Sequence, residues 1–200
     1  TAPTIDGDVS TGAALRDSIV YFGTSNNHRL YAVCNGTVLW EKWLTRGINS
    51  TPTLKGDTIF FALNDGKLYA IRDTGEGYED LWAVRIDPPK SGWSDVYYSS
   101  PAVGFDHTIY VGTPFNHLVA VYPDGEIKWK FKVHGKVWSS PVVDSNGIIY
   151  FGSHDDTLYA LEDLGSCAQV VWKFGTGGTI RSAVAMRNPF YFTSLDGKIY

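Results

Sequence analysis

The 200-residue chain has no long apolar run; its longest uninterrupted apolar stretches are about five residues. A membrane-crossing helix needs roughly 20, so the chain as given carries neither a transmembrane span nor a secretory signal. No Lys/Arg run exceeds two residues and the formal net charge is −4. Dispersed basic residues under a net negative charge argue against a nucleic-acid surface. Cysteine is scarce: Cys34 and Cys167 stand alone. Two cysteines allow one bridge at most, and these two follow the same strand in the first and fourth copies of an internal repeat, so they are expected as free thiols. No 12-residue window carries a helical period. No glycine-rich loop opens a helix to cradle phosphate, and no catalytic constellation stands out, which weighs against an enzyme. What the chain has instead is aromatic side chains, with seven Trp and twelve Tyr, and 21 Gly placed mostly where turns fall. Short β-branched and aromatic runs cut by Gly, Asp and Asn read as many short strands, an all-β chain.

The strands repeat. "SSPVVDSNGIIYFGSHDDTLYALE" from Ser139 aligns without a gap on "SSPAVGFDHTIYVGTPFNHLVAVY" from Ser99. The core of the element recurs from Tyr21, Phe60, Tyr110 and Tyr150, and a fifth copy begins at Tyr191. Each complete copy is followed by a turn and a tryptophan, namely Trp40, Trp82, Trp129 and Trp172. A Gly-containing loop and a small-residue strand then open the next unit. Pro52 to Ala183 holds three units in 131 residues, about 44 residues each. A unit holds four strand candidates, A to D, which in the fourth unit are Pro141–Val143, Ile148–Ser153, Leu158–Glu162 and Val170–Phe174. Four antiparallel strands in a unit of this length are the signature of a β-propeller blade. About five repeats are visible, which fits a closed five-blade ring or part of a larger one, and residues 1–200 are read as a single domain. Blades stack face to face, and one Trp per unit suits the wedge between them. Trp40, Trp82, Trp129 and Trp172 are therefore expected as largely buried structural residues.

"SSPVV…IIYFGS…TLYALE…VVWKF" resembles the pyrroloquinoline-quinone (PQQ) repeat across essentially the whole chain. That repeat occurs in PQQ-dependent alcohol and glucose dehydrogenases and in non-catalytic propellers of the bacterial outer-membrane assembly machinery. The resemblance implies the fold; the motif is a packing motif and leaves function open. The dehydrogenases also carry, in many members, adjacent cysteines, calcium ligands and a catalytic aspartate. Cys34 and Cys167 are not adjacent, and no acidic cluster substitutes. The expected protein is thus a non-enzymatic binding or scaffold propeller without a cofactor. A fragment of a PQQ-dependent dehydrogenase, which would bring PQQ and calcium, and a carbohydrate-binding propeller are the alternatives. The resemblance also implies a periplasmic or extracellular location.

Strand direction alternates within a blade, so the D–A loops and B–C turns emerge on one face. The residues just before strand A on that face include Asn49, Tyr98, Trp138 and Arg181. The longest D–A loop, Arg85 to Pro101, adds Trp93 and Tyr97. Long loops on rigid scaffolds are where binding tends to reside, and exposed aromatics suit a protein or peptide partner, with a glycan as the other candidate. Arg181, beside Trp138, Tyr98 and the strand-A serines Ser50, Ser99 and Ser139, is expected to attract a carboxylate. His28, His117 and His154 all sit in B–C turns but in different units, too far apart to share a metal, so no metal site is expected.

Overall fold

A computed structural model describes residues 5, 7–87, 99–186 and 190–200. Among them are sixteen strands and no helix, hence no helix long and apolar enough to cross a membrane. The chain forms two compact units, Thr1–Tyr97 and Tyr98–Tyr200. The first unit holds β1 (Ala14–Arg16), β2 (Ile19–Gly23), β3 (Arg29–Cys34) and β4 (Thr37–Trp43), then β5 (Thr53–Lys55), β6 (Thr58–Leu63), β7 (Lys67–Asp73) and β8 (Tyr78–Arg85). The second holds β9 (Ala102–Val103), β10 (Ile109–Gly112), β11 (His117–Val121) and β12 (Ile127–Lys132), then β13 (Val142–Val143), β14 (Ile149–Gly152), β15 (Thr157–Asp163) and β16 (Ala168–Gly175). Each set of four is one antiparallel meander in chain order. The repeat units are thus four-stranded blades, with strands A to D as the sequence spacing predicts. Among the described residues the fifth copy forms two isolated bridges, Ala185 with Tyr191 and Thr193 with Ile199.

The repeated residues meet in one row across each blade. Alanine of strand C pairs with an aromatic of strand B and the tryptophan of strand D: Ala32 lies between Tyr21 and Trp40, and Ala120 between Tyr110 and Trp129. Ala70 and Ala160 hold the same place between Phe60 and Trp82 and between Tyr150 and Trp172. Strands B and D stand about 9–10 Å apart across strand C, yet the two rings close to 6.0, 5.9, 5.8 and 5.7 Å in the four blades. Only a methyl-sized side chain leaves room for them to meet above it, and tilted aromatic pairs at this spacing are favourable. A register shift follows the alanine in every blade, so strand D is bulged at the same point each time.

Two of these rows are tied to a neighbouring blade by a carboxylate. In the first unit Tyr21 Oη and Trp40 Nε1 both donate to Asp73 at the end of β7, Trp40 at 3.1 Å. In the second, Tyr110 Oη donates to Asp163 at 2.8 Å and Trp129 Nε1 at 2.9 Å. The amide N–H of Gly75 or Gly165 and a cation, Arg16 or Lys128, complete each clasp. Burial opposes the charge on Asp163, but the donors from Lys128, Trp129, Gly165 and Tyr110 outweigh it and hold its carboxyl below the ordinary range. Burial is outweighed likewise at Asp73, by Tyr21, Gly75, Trp40 and Arg16.

The tryptophans therefore divide. Trp40 and Trp129 are 7% and 6% exposed. Trp82 and Trp172 are half-buried, short of the burial expected for all four. The first pair lies under the aspartate-bearing edge of the following blade in its own unit. Trp172 has Phe190 stacked on it at 6.0 Å, and among the described residues no sheet follows β8 within the first unit. Trp129→Ala is expected to cost about 3–5 kcal/mol, and Trp172→Ala less, because that ring already keeps part of its surface in water. Urea unfolding of the two variants checks the order; equal losses would contradict it.

Candidate functional site

Among the described residues, the D–A loops at 44–49, 133–138 and 176–181 are each laced between the B–C turn of their own blade and that of the next. In the second unit the N–H groups of Val133 and Val137 donate to the carbonyls of Asn116 and Thr113, both at 2.9 Å. On the other side His154 N–H donates to the Lys136 carbonyl at 2.9 Å, and His134 N–H to Asp155 Oδ2 at 2.9 Å. The D–A loops and B–C turns of this unit thus form one continuous face. In the first unit Leu44 and Ile48 donate to the carbonyls of His28 and Thr24, and Thr45 Oγ1 reaches Asp65 in the next turn.

Three consecutive loop positions have fixed roles. The first is an apolar residue pressed on the last residue of strand B: Ile48 on Gly23, Val137 on Gly112, Ile180 on Gly152. All three apolar residues are fully buried. A Cβ on Gly112 would stand 2.4 Å from Val137 Cγ1, and one on Gly152 2.2 Å from Ile180 Cγ2, so glycine is required by close approach. The third position is the serine that opens strand A. Ser50 Oγ accepts from Ala62 N–H at 3.0 Å and Ser99 Oγ from Gly112 N–H at 2.7 Å, while Ser139 Oγ donates to the Ser182 carbonyl at 2.7 Å. These hydroxyls were expected beside Arg181 as part of a binding ring; they are instead buried and spent on backbone. The middle position is left to vary. Asn49 occupies it in the first unit, half-buried, and Trp138 and Arg181 occupy it in the second.

Arg181 and Trp138 come together. The Arg181 guanidinium lies 5.1 Å from the centre of the Trp138 ring and the Lys136 ammonium 4.8 Å from it. The His154 ring stands edge-on to the same indole, with centres 4.4 Å apart. Arg181 and Lys136 are exposed, and neither has a carboxylate within ion-pair distance among the described residues. Burial, then the charges of Arg181 and Lys136, push the His154 imidazole below its ordinary value, against the pull of Asp156. Trp93, Tyr97 and Tyr98 lie outside the described residues. Lys136 and His154 were not expected as partners of Arg181. Sequence spacing places them in a D–A loop and a B–C turn, and only the lacing of one onto the other brings them to Trp138.

Among the described residues no three His, Cys, Asp or Glu side chains gather as a metal-binding group. Cys34 is half-buried, Cys167 is exposed, and both are free.

Four-stranded blades repeating an aromatic–Ala–Trp row and a strand-A serine define a PQQ-type β-propeller. The family described as "Outer membrane protein assembly factor BamB" matches residues 2–83 and 73–189, and the chain belongs to it. Among solved structures, BamB from Moraxella catarrhalis is similar, with 19% identity and a TM-score of 0.74 over 100% of this chain and 60% of that one. The chain therefore spans 60% of the length of that relative, and the likeness speaks for the fold. No curated protein matches.

Gly152→Ala is expected to cost about 1–3 kcal/mol by overpacking against Ile180. Gly175→Ala, with open space around its Cα and no left-handed φ, is expected to stay within about 0.5 kcal/mol. Thermal unfolding of both variants checks the contrast, and equal shifts would contradict it.

Proposed function

We propose that the chain is a protein-docking scaffold of the outer-membrane-protein assembly type that takes an acidic segment of a partner on its D–A/B–C face. The family description names assembly of outer membrane proteins, and it carries the periplasmic or extracellular location. The observation that supports this face is the pair Arg181 and Lys136 over Trp138, two exposed cations without carboxylate partners among the described residues. A cation–π contact at a site where the cation stays exposed gains about 0.5–1 kcal/mol, which is enough to bias its side chain without burying its charge. The guanidinium keeps its donors for a carboxylate, which it can take bidentately. With a net charge of −4 the molecule repels acidic partners in general, so this local patch would select where they land. Asn49 holds the same register position in the first unit, and Trp93, Tyr97 and Tyr98 join the candidate surface by sequence. The reading calls for no cofactor.

The test is fluorescence anisotropy of a labelled hexa-aspartate peptide at low salt, with wild type, Arg181→Ala, Trp138→Ala and Trp93→Ala. Arg181→Ala and Trp138→Ala are expected to weaken binding by roughly fivefold or more, and added salt to weaken the wild type. If all four proteins bind alike, this face is not the docking surface.

A further inference from the structure

His154 stands behind the cations of this face, where burial and the two neighbouring cations favour the neutral ring. Its ring is wedged against Trp138, while its backbone N–H holds the Lys136 loop. Its Nε2 is out of contact with solvent and has no hydrogen-bond partner, so no bond at that nitrogen locks the ring as neutral or charged. The groups facing it come from three elements. The preceding D–A loop brings Lys136, with His134 close by. The following D–A loop brings Arg181. Its own turn brings Asp155 and Asp156. Asp155 Oδ2 is occupied by the His134 amide and by Tyr159 Oη, each at 2.9 Å. Asp156 pulls toward the charged ring, and Arg181 and Lys136 push against it.

We propose that His154 couples docking at this face to proton uptake: an acidic segment settling on Arg181 and Lys136 neutralises the two cations that share the Trp138 indole with the ring, and His154 then becomes a third cation under the bound carboxylates. The inference rests on the docking reading above. Its sign follows from linkage. The ring loses its repulsion only when the anion is present, so the bound state holds more protons than the free state at mildly acidic pH. Affinity therefore rises as pH falls through the histidine range, and the anion raises the histidine's proton affinity by the same factor. Aspartate carboxyls with an ordinary pKa near 3.9 stay ionised between pH 5.5 and 7.5, so a hexa-aspartate probe does not titrate over that window.

The experiment measures hexa-aspartate affinity at pH 7.5 and 5.5 for wild type, His154→Gln and Arg181→Ala. The expected wild-type gain on acidification is roughly fivefold, and in His154→Gln that ratio collapses toward one, whatever the variant's absolute affinity. Because the substitution can also loosen the turn, an NMR titration of the wild-type His154 ring, with and without saturating peptide, gives an independent reading. Its midpoint should move up by about 0.7 unit or more when peptide is bound. An unchanged ratio in a folded His154→Gln, or an unmoved midpoint with peptide bound, overturns the coupling. Wild type and Arg181→Ala binding alike overturns instead the docking reading on which it rests.

Discussion

The blades depend on an alanine lying under two aromatic rings. Strands B and D are kept apart by strand C, and their large side chains can meet only if the residue between them is small. Ala32, Ala70, Ala120 and Ala160 meet that condition, and the rings above them cover the blade with apolar area. Where a second blade of the same unit follows, its aspartate accepts from both the tyrosine hydroxyl and the indole N–H. The polar handles of two otherwise apolar rings are thereby satisfied at the blade interface, which their burial demands. One row so provides sheet cohesion, apolar stacking and a directional bond to the neighbour.

The same economy shapes the loop face. The apolar first position packs on a strand-end residue and is buried, and the serine at the third position bonds backbone. The residue between them is released from structural duty. Asn49, Trp138 and Arg181 differ in size, charge and chemistry at a site whose neighbours barely change. A scaffold repeated for packing thus presents one freely chosen side chain per blade at a fixed place. The lacing of D–A loops onto B–C turns holds those side chains without a helix or metal among the described residues.

Much of this was legible in the repeat. The "YFG…LYA…W" spacing specifies strands B, C and D, and register follows because a one-residue slip would turn the tryptophan to the wrong face. The middle loop position was legible too, since Asn49, Trp138 and Arg181 fall directly before strand A in the repeat. The aspartate clasp was legible but unread. Asp73 and Asp163 each precede a glycine by two residues, and the repeats before them carry Tyr21 and Tyr110; the repeat with Phe60 is followed by one with Pro123 at the aspartate position. The graded burial of the tryptophans was not legible, because it depends on what covers each ring and not on its place in its own repeat. Lys136 and His154 were likewise hidden, since they come from different blades and meet only through a backbone bond between loops.

The most direct test of the clasp is a double-mutant cycle on Trp129→Phe and Asp163→Asn, read by urea unfolding. The first change removes the indole donor while keeping a ring, and the second removes the charge while keeping the shape. If the carboxylate binds the two rings of the preceding blade as described, the losses should be non-additive, with a coupling of about 0.5–3 kcal/mol. Additivity within about 0.3–0.5 kcal/mol would mean that Trp129 and Asp163 stabilise the blades independently, and the clasp would not be what joins them.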